Sequence, residues 1–128
     1  MPTMHNPAAI HTPQANYSHA AHVGPNARWV VASGQIGVGP DGKLAEGFAA
    51  QCKTAFDNLL GILADADMAP ENIVKTTVFL TNREDLGAYR QARDAAFGDL
   101  KPASTLLFVA GLASPEMLVE IEMVAAKD

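Results

Sequence analysis

Glu120 and Glu122 stand two apart in Leu118-Val119-Glu120-Ile121-Glu122-Met123-Val124. On a β-strand that spacing puts both carboxylates on one face and Val119, Ile121 and Met123 on the other. The apolar side must lie against a core. If another surface partly covers the acidic side, a carboxylate there can hold a water or move a proton. If nothing covers it, the two acids are ordinary solvated charge.

Histidine offers a second chemistry: His5, His11, His19 and His22 crowd the first 22 residues. His19 and His22 would face opposite sides of a strand, and no HExxH or similar carboxylate spacing supports them, so no metal site is expected. His19 alone remains a candidate for a cleft. The run Ser33-Gly34-Gln35-Ile36-Gly37-Val38-Gly39 has the glycines of a phosphate loop. Such a loop must open a helix so that amides and dipole meet phosphate, whereas Pro40-Asp41-Gly42 follows here and forms a turn. The glycines therefore read as permitting bulges or close backbone approach. Ser33, Ser104 and Ser114 lack the context of a nucleophile elbow. Cys52, the only cysteine, falls on the apolar side of a helix pattern and reads as a packed, inert thiol.

The elements that must position these residues fit one domain over residues 1–128. Hydrophobic residues at 48% and charged residues at 18% argue for an ordinary core rather than disorder. A net charge of −5 without a Lys/Arg cluster argues against a nucleic-acid footprint. No apolar run approaches the roughly 20 residues a membrane span needs. The first residues lack the basic and apolar regions of a secretory signal, so a cytoplasmic protein is expected by default.

Residues 1–15 show no periodicity and read as an irregular arm. Two short apolar runs, His19–Val23 and Trp29–Ala32, flank Gly24-Pro25-Asn26 and predict a hairpin. From Phe48 the spacing of Cys52, Ala55, Phe56, Leu59, Leu60, Leu63 and Ala66 predicts a helix of about five turns ending before Pro70, with Gln51 off the stripe. Ile73–Leu80 is a strand by propensity. Thr81 and Glu84 make a capping box for a helix over Asn82–Phe97, which Gly98 stops, with Leu86, Tyr89, Ala92, Ala96 and Phe97 as its buried stripe. Strands over Thr105–Ala110 and Met117–Ala125 follow. The result is an α+β domain with a largely antiparallel sheet. Two helices cover only one face. The other, expected to carry Val74, Val78, Leu106 and Phe108 or their alternates, needs a partner subunit.

Several segments together resemble the RidA/YjgF family, also called endoribonuclease L-PSP. They are Asn16-Tyr17-Ser18-His19-Ala20, Ser33-Gly34-Gln35-Ile36-Gly37, Phe56-Asp57-Asn58-Leu59, Ile73 through Leu80, Pro102-Ala103-Ser104-Thr105 and Val119-Glu120-Ile121-Glu122. Their order and spacing match from about residue 13 to the C-terminus. The resemblance implies a chorismate-mutase-like fold, a homotrimer closing a central β-barrel, and a small-molecule cleft at each subunit interface. It also implies hydrolysis of enamines and imines to a ketone and ammonia, without a cofactor. By position, Tyr17 matches the cleft tyrosine, Ser33 and Gly34 the pocket loop, and Glu120 the acid that positions water. His19 stands where glutamine is common, and Phe108 belongs to the apolar run beside the pocket. Ser104 departs from the pattern, because archetypal deaminases carry an arginine there to clamp the substrate carboxylate. Losing such a contact costs about 1.5–3 kcal/mol. Lys101, Lys75 and Arg28 are the cations considered as substitutes. The alternatives to a deaminase are a non-catalytic metabolite- or partner-binding member and a ribonuclease, the latter opposed by the acidic balance.

Overall fold

A computed structural model describes residues 1–128. Helix α1 spans Phe48–Asp65 and buries Phe48, Cys52, Ala55, Phe56, Leu59 and Leu63, the stripe expected from the 3–4 spacing. Gln51 is buried as well, contrary to expectation. Its Nε2 donates to the Glu116 carbonyl at 3.0 Å and its Oε1 accepts from Leu118 N–H at 2.9 Å. A buried amide satisfied at both ends is stable, and this one fixes where the last strand begins. Cys52 has no exposed surface, and burial, helped by the Asp85 charge, pushes its thiol up to about 12. The thiol therefore stays protonated and unreactive.

The strands are β1 (Thr3–His5), β2 (Ala20–His22), β3 (Arg28–Gln35), β4 (Ile73–Leu80), β5 (Ala103–Phe108) and β6 (Val119–Lys127). Helix α2 spans Leu86–Phe97 and joins β4 to β5. The main sheet runs β3-β6-β4-β5, antiparallel except for the parallel β4–β5 pair that the α2 crossover permits. Strand β4 has the bounds its propensity predicts. β5 begins two residues before the expected start, and β6 two after.

Several expectations change. The hairpin across Gly24-Pro25-Asn26 does not form: β2 pairs with β1, so the arm contains a strand, and β3 pairs with β6. An eight-residue strand gains a far longer ladder on nine-residue β6 than on three-residue β2. Thr81 does not cap. Asn82 Oδ1 instead accepts from Glu84 N–H at 2.9 Å, and a 3-10 turn over Arg83–Asp85 leads into α2. An Asx side chain reaches the amide two residues on more naturally than a capping box reaches three. Arg93, not only apolar residues, is buried on α2 with Tyr89 and Phe97.

Of the two sets of residues that the sequence allowed on the open face, the structure places the alternates there. Val78 is fully buried with Ile73, Thr76 and Leu80 toward the helices. A register irregularity between Ile73 and Lys75 shifts the alternation. The alternates Thr77, Phe79, Thr105 and Leu107 therefore point away from the helices, in register with Glu120 and Glu122. Trp29 and Val31 of β3 share that side, 53% and 76% exposed, and Leu107 is 46% exposed. Val119, Ile121 and Met123 are buried against the helices. No helix is long and apolar enough to cross a membrane.

Candidate functional site

Glu120 is half-buried on the open face, whereas Glu122 is exposed. The difference comes from β3. Its ladder with β6 is interrupted between Ala32 and Gln35, so Ser33 and Gly34 bulge beside Glu120. A Cβ on Gly34 would lie 2.8 Å from both Cγ and Cδ of Glu120. Only a residue without a side chain lets the carboxylate fold over the strand there. Ser33, exposed at the same bulge, presents its hydroxyl beside that carboxylate's strand.

Tyr17, His19 and Ser104 gather elsewhere, at the start of β5. The Tyr17 and His19 rings meet edge to face with centroids 5.6 Å apart. His19 N–H donates to Asn6 Oδ1 at 2.7 Å, and its Nε2 lies 2.6 Å from the His11 carbonyl. A carbonyl only accepts, so Nε2 is the donor in this contact. Ser18, between them, is buried, with its hydroxyl donating to the Lys101 carbonyl at 2.6 Å. Ser104 Oγ accepts from Thr76 Oγ1 at 3.2 Å. Its own proton is left free to donate outward.

A cavity of about 500 Å³ opens between residues 14–17 and α2, with Tyr17, Tyr89, Arg90, Arg93, Asp94 and Ser104 on its walls. Burial holds Tyr89 well above the usual phenol range, with Arg93 opposing the rise, so Tyr89 stays a neutral hydroxyl. A second, smaller hollow of about 370 Å³ has His19, Lys75 and Ser104 on its walls. The larger groove of about 1210 Å³ by Gly39, Asp41 and Asn58 includes none of Tyr17, His19, Ser104 or Glu120 among its walls.

The two groups do not meet within one chain. Ser104 pairs with Thr76 and Glu120 with Phe79, so they are two strands apart and three residues out of step along β4. That is roughly 10 Å in each direction. They also project to opposite faces of the sheet. Phe108 joins neither group; it lies at the far end of β5 beneath the Arg83 guanidinium, 4.6 Å from its ring centre. Of the cations considered as substitutes, Lys75 reaches the smaller hollow, while Arg28 reaches toward the Asp67 carbonyl at 3.5 Å. Arg90 and Arg93 were missed. The available signal was their i,i+3 spacing, which puts both on one side of α2. His5 and His22 lie 5.4 Å apart, yet no group of three or more potential ligands could hold a metal ion.

Residues 7–127 match the family model described as Endoribonuclease L-PSP. The chain belongs to this family, also known as RidA/YjgF. A RutC family protein of Aquifex aeolicus is 37% identical over 118 residues, covering 90% of this chain and 91% of that protein. The 2-iminobutanoate/2-iminopropanoate deaminase of Salmonella typhimurium is 33% identical over 102 residues, covering 77% and 79%. Among solved structures, the Rid-family protein YyfB of Yersinia pestis superposes with a TM-score of 0.86 at 26% identity, covering 98% of each chain. TdcF of E. coli, with bound serine, gives a TM-score of 0.75 at 26% identity, covering 96% and 94%. The RidA/YjgF fold is thus the scaffold on which both groups of site residues sit.

Proposed function

We propose that this RidA-family protein is a homotrimer that hydrolyses small imines or enamines in a cleft shared by two subunits. The observation that carries the proposal is the division of the site. Tyr17, His19 and Ser104 lie at one sheet edge, while Ser33, Gly34 and Glu120 lie on an open face bearing exposed Trp29, Val31 and Leu107. An apolar sheet face of this kind is costly in water, and sister copies arranged cyclically would cover it while bringing the two groups together. The relative named as an imine deaminase supports the reaction class.

In this cleft an enamine first tautomerises to its imine. Glu120 holds a water over the imine carbon and takes its proton as the C–O bond forms. The C=N π pair moves to nitrogen, which takes that first proton from Glu120. The resulting carbinolamine gives its O–H proton to Glu120 and on to nitrogen as the C=O bond forms and the C–N bond breaks, so both protons of the water leave with nitrogen as ammonia. Tyr17 and the Ser104 hydroxyl orient the substrate, and no cofactor enters the balance. A second reading, favoured by serine at position 104, is a subunit cleft that binds a metabolite without turning it over.

The test generates 2-aminoacrylate and bulkier imino acids with a coupled lyase or oxidase and follows keto acid formation. The proposal expects acceleration by the protein for at least one imine. Intact trimers that accelerate none would reject the deaminase reading.

A further inference from the structure

We infer that Arg90 is the carboxylate anchor of the cleft, supplying from α2 the charge that Ser104 does not supply from β5. The inference rests on the proposal that the cavity beside Tyr17 receives the substrate. Arg90 is exposed and lines that cavity together with Tyr17 and Ser104. The other charges around it are already matched. Arg93 is 7% exposed, and its guanidinium donates to the Leu100 carbonyl at 2.8 Å and to Asp94 Oδ1 at 2.9 Å. Asp94 Oδ1 also accepts from Asn16 Nδ2 at 3.3 Å. Arg93 and Asp94 thus neutralise each other, and none of the chain's ion pairs includes Arg90. The cavity keeps one uncompensated positive charge in a chain whose net charge is −5. Such a spot is where a small anion settles.

The chemistry of the walls narrows the ligand to a small carboxylate with an adjacent polar carbon. A guanidinium offers two parallel N–H donors that match a carboxylate bidentately. The hydroxyls of Tyr17 and Ser104 can donate to the carbonyl or imine end. Leu106 lines the same cavity and suits a short apolar side chain. Lys75 is the competing cation, but the hollow it lines is smaller and lacks Tyr17.

The test measures equilibrium binding of pyruvate and of its uncharged analogue pyruvamide by titration calorimetry or ligand-observed NMR. Wild-type protein, Arg90→Gln, Arg90→Lys, Lys75→Gln and Arg90→Gln/Ser104→Arg are compared. Arg90→Gln should weaken pyruvate binding about 10- to 150-fold and leave pyruvamide binding unchanged. Arg90→Lys should fall between, because it keeps the charge and loses the fork. The double variant should regain pyruvate binding, and Lys75→Gln should match wild type. Pyruvate binding that survives Arg90→Gln, or that is absent from the wild-type protein, would overturn the inference. Because the readout is binding, Arg90-dependent affinity without imine turnover would defeat the deaminase proposal alone. Imine turnover with an unchanged KM in Arg90→Gln would defeat this inference alone.

Discussion

Glu120→Gln should lower imine hydrolysis about 10²- to 10⁴-fold while leaving the fold and oligomeric state intact. The substitution keeps the volume of the side chain that folds over Gly34, so the β3 bulge has no reason to move. It removes the one group at the bulge able to take a proton from water, and general-base catalysis is typically worth a factor of this size. Ground-state binding of keto acids should change far less, because an amide can still accept a hydrogen bond. A coupled keto acid assay on matched, correctly folded samples checks the prediction. Turnover within a few-fold of wild type would remove Glu120 from the chemistry and reduce it to the solvated charge that the bare strand pattern also allowed.

Val31→Glu should break the assembly into folded single chains that no longer hydrolyse imines. Val31 is 76% exposed, so its replacement costs an isolated subunit little. In a trimer the same position would be covered, and an unpaired carboxylate buried there is heavily penalised. Light scattering should show the mass falling to the 13.5 kDa of one chain. Circular dichroism should keep its helical signal. A Val31→Glu protein that stays assembled would place the subunit contact on some other surface.

The fold was legible wherever one residue pattern sufficed. The α1 stripe of Phe48, Cys52, Ala55, Phe56, Leu59 and Leu63 repeats on a single face, and Ile73–Leu80 is mostly β-branched with an aromatic; both appear as expected. The turn over Gly39-Pro40-Asp41-Gly42 also forms, closed by Gly42 N–H on the Gly39 carbonyl at 2.9 Å. What stayed hidden depends on partners distant in sequence. Nothing local tells β3 to prefer β6 over β2, because the competing ladders differ only in length. Nothing local reveals the irregularity after Ile73 that decides whether Val78 or Phe79 meets the helices.

The same division holds for the candidate site. The Glu120 carboxylate and the Ser33-Gly34 segment could each be picked out from type and spacing. That the glycine exists to admit the acid is a cross-strand fact, visible only once β3 lies beside β6. Arg90 escaped notice because its pocket neighbours Tyr17 and Ser104 stand on separate segments of the chain. Gln51 escaped because a polar residue off the apolar stripe reads as surface until its two backbone partners at Glu116 and Leu118 are known.

Mixing two defective subunits tests the division of the site directly. Glu120→Gln and Tyr17→Ala proteins are dissociated together, reassembled in equal amounts and assayed for 2-aminoacrylate hydrolysis. If each cleft takes Tyr17 from one copy and Glu120 from its neighbour, random cyclic trimers rebuild intact sites at about a quarter of their positions. The mixture should then recover about that fraction of wild-type turnover, which neither parent shows. Activity no higher than that of the parents, with wild type surviving the same treatment, would mean that both residues act within one copy or that the cleft between copies does not exist.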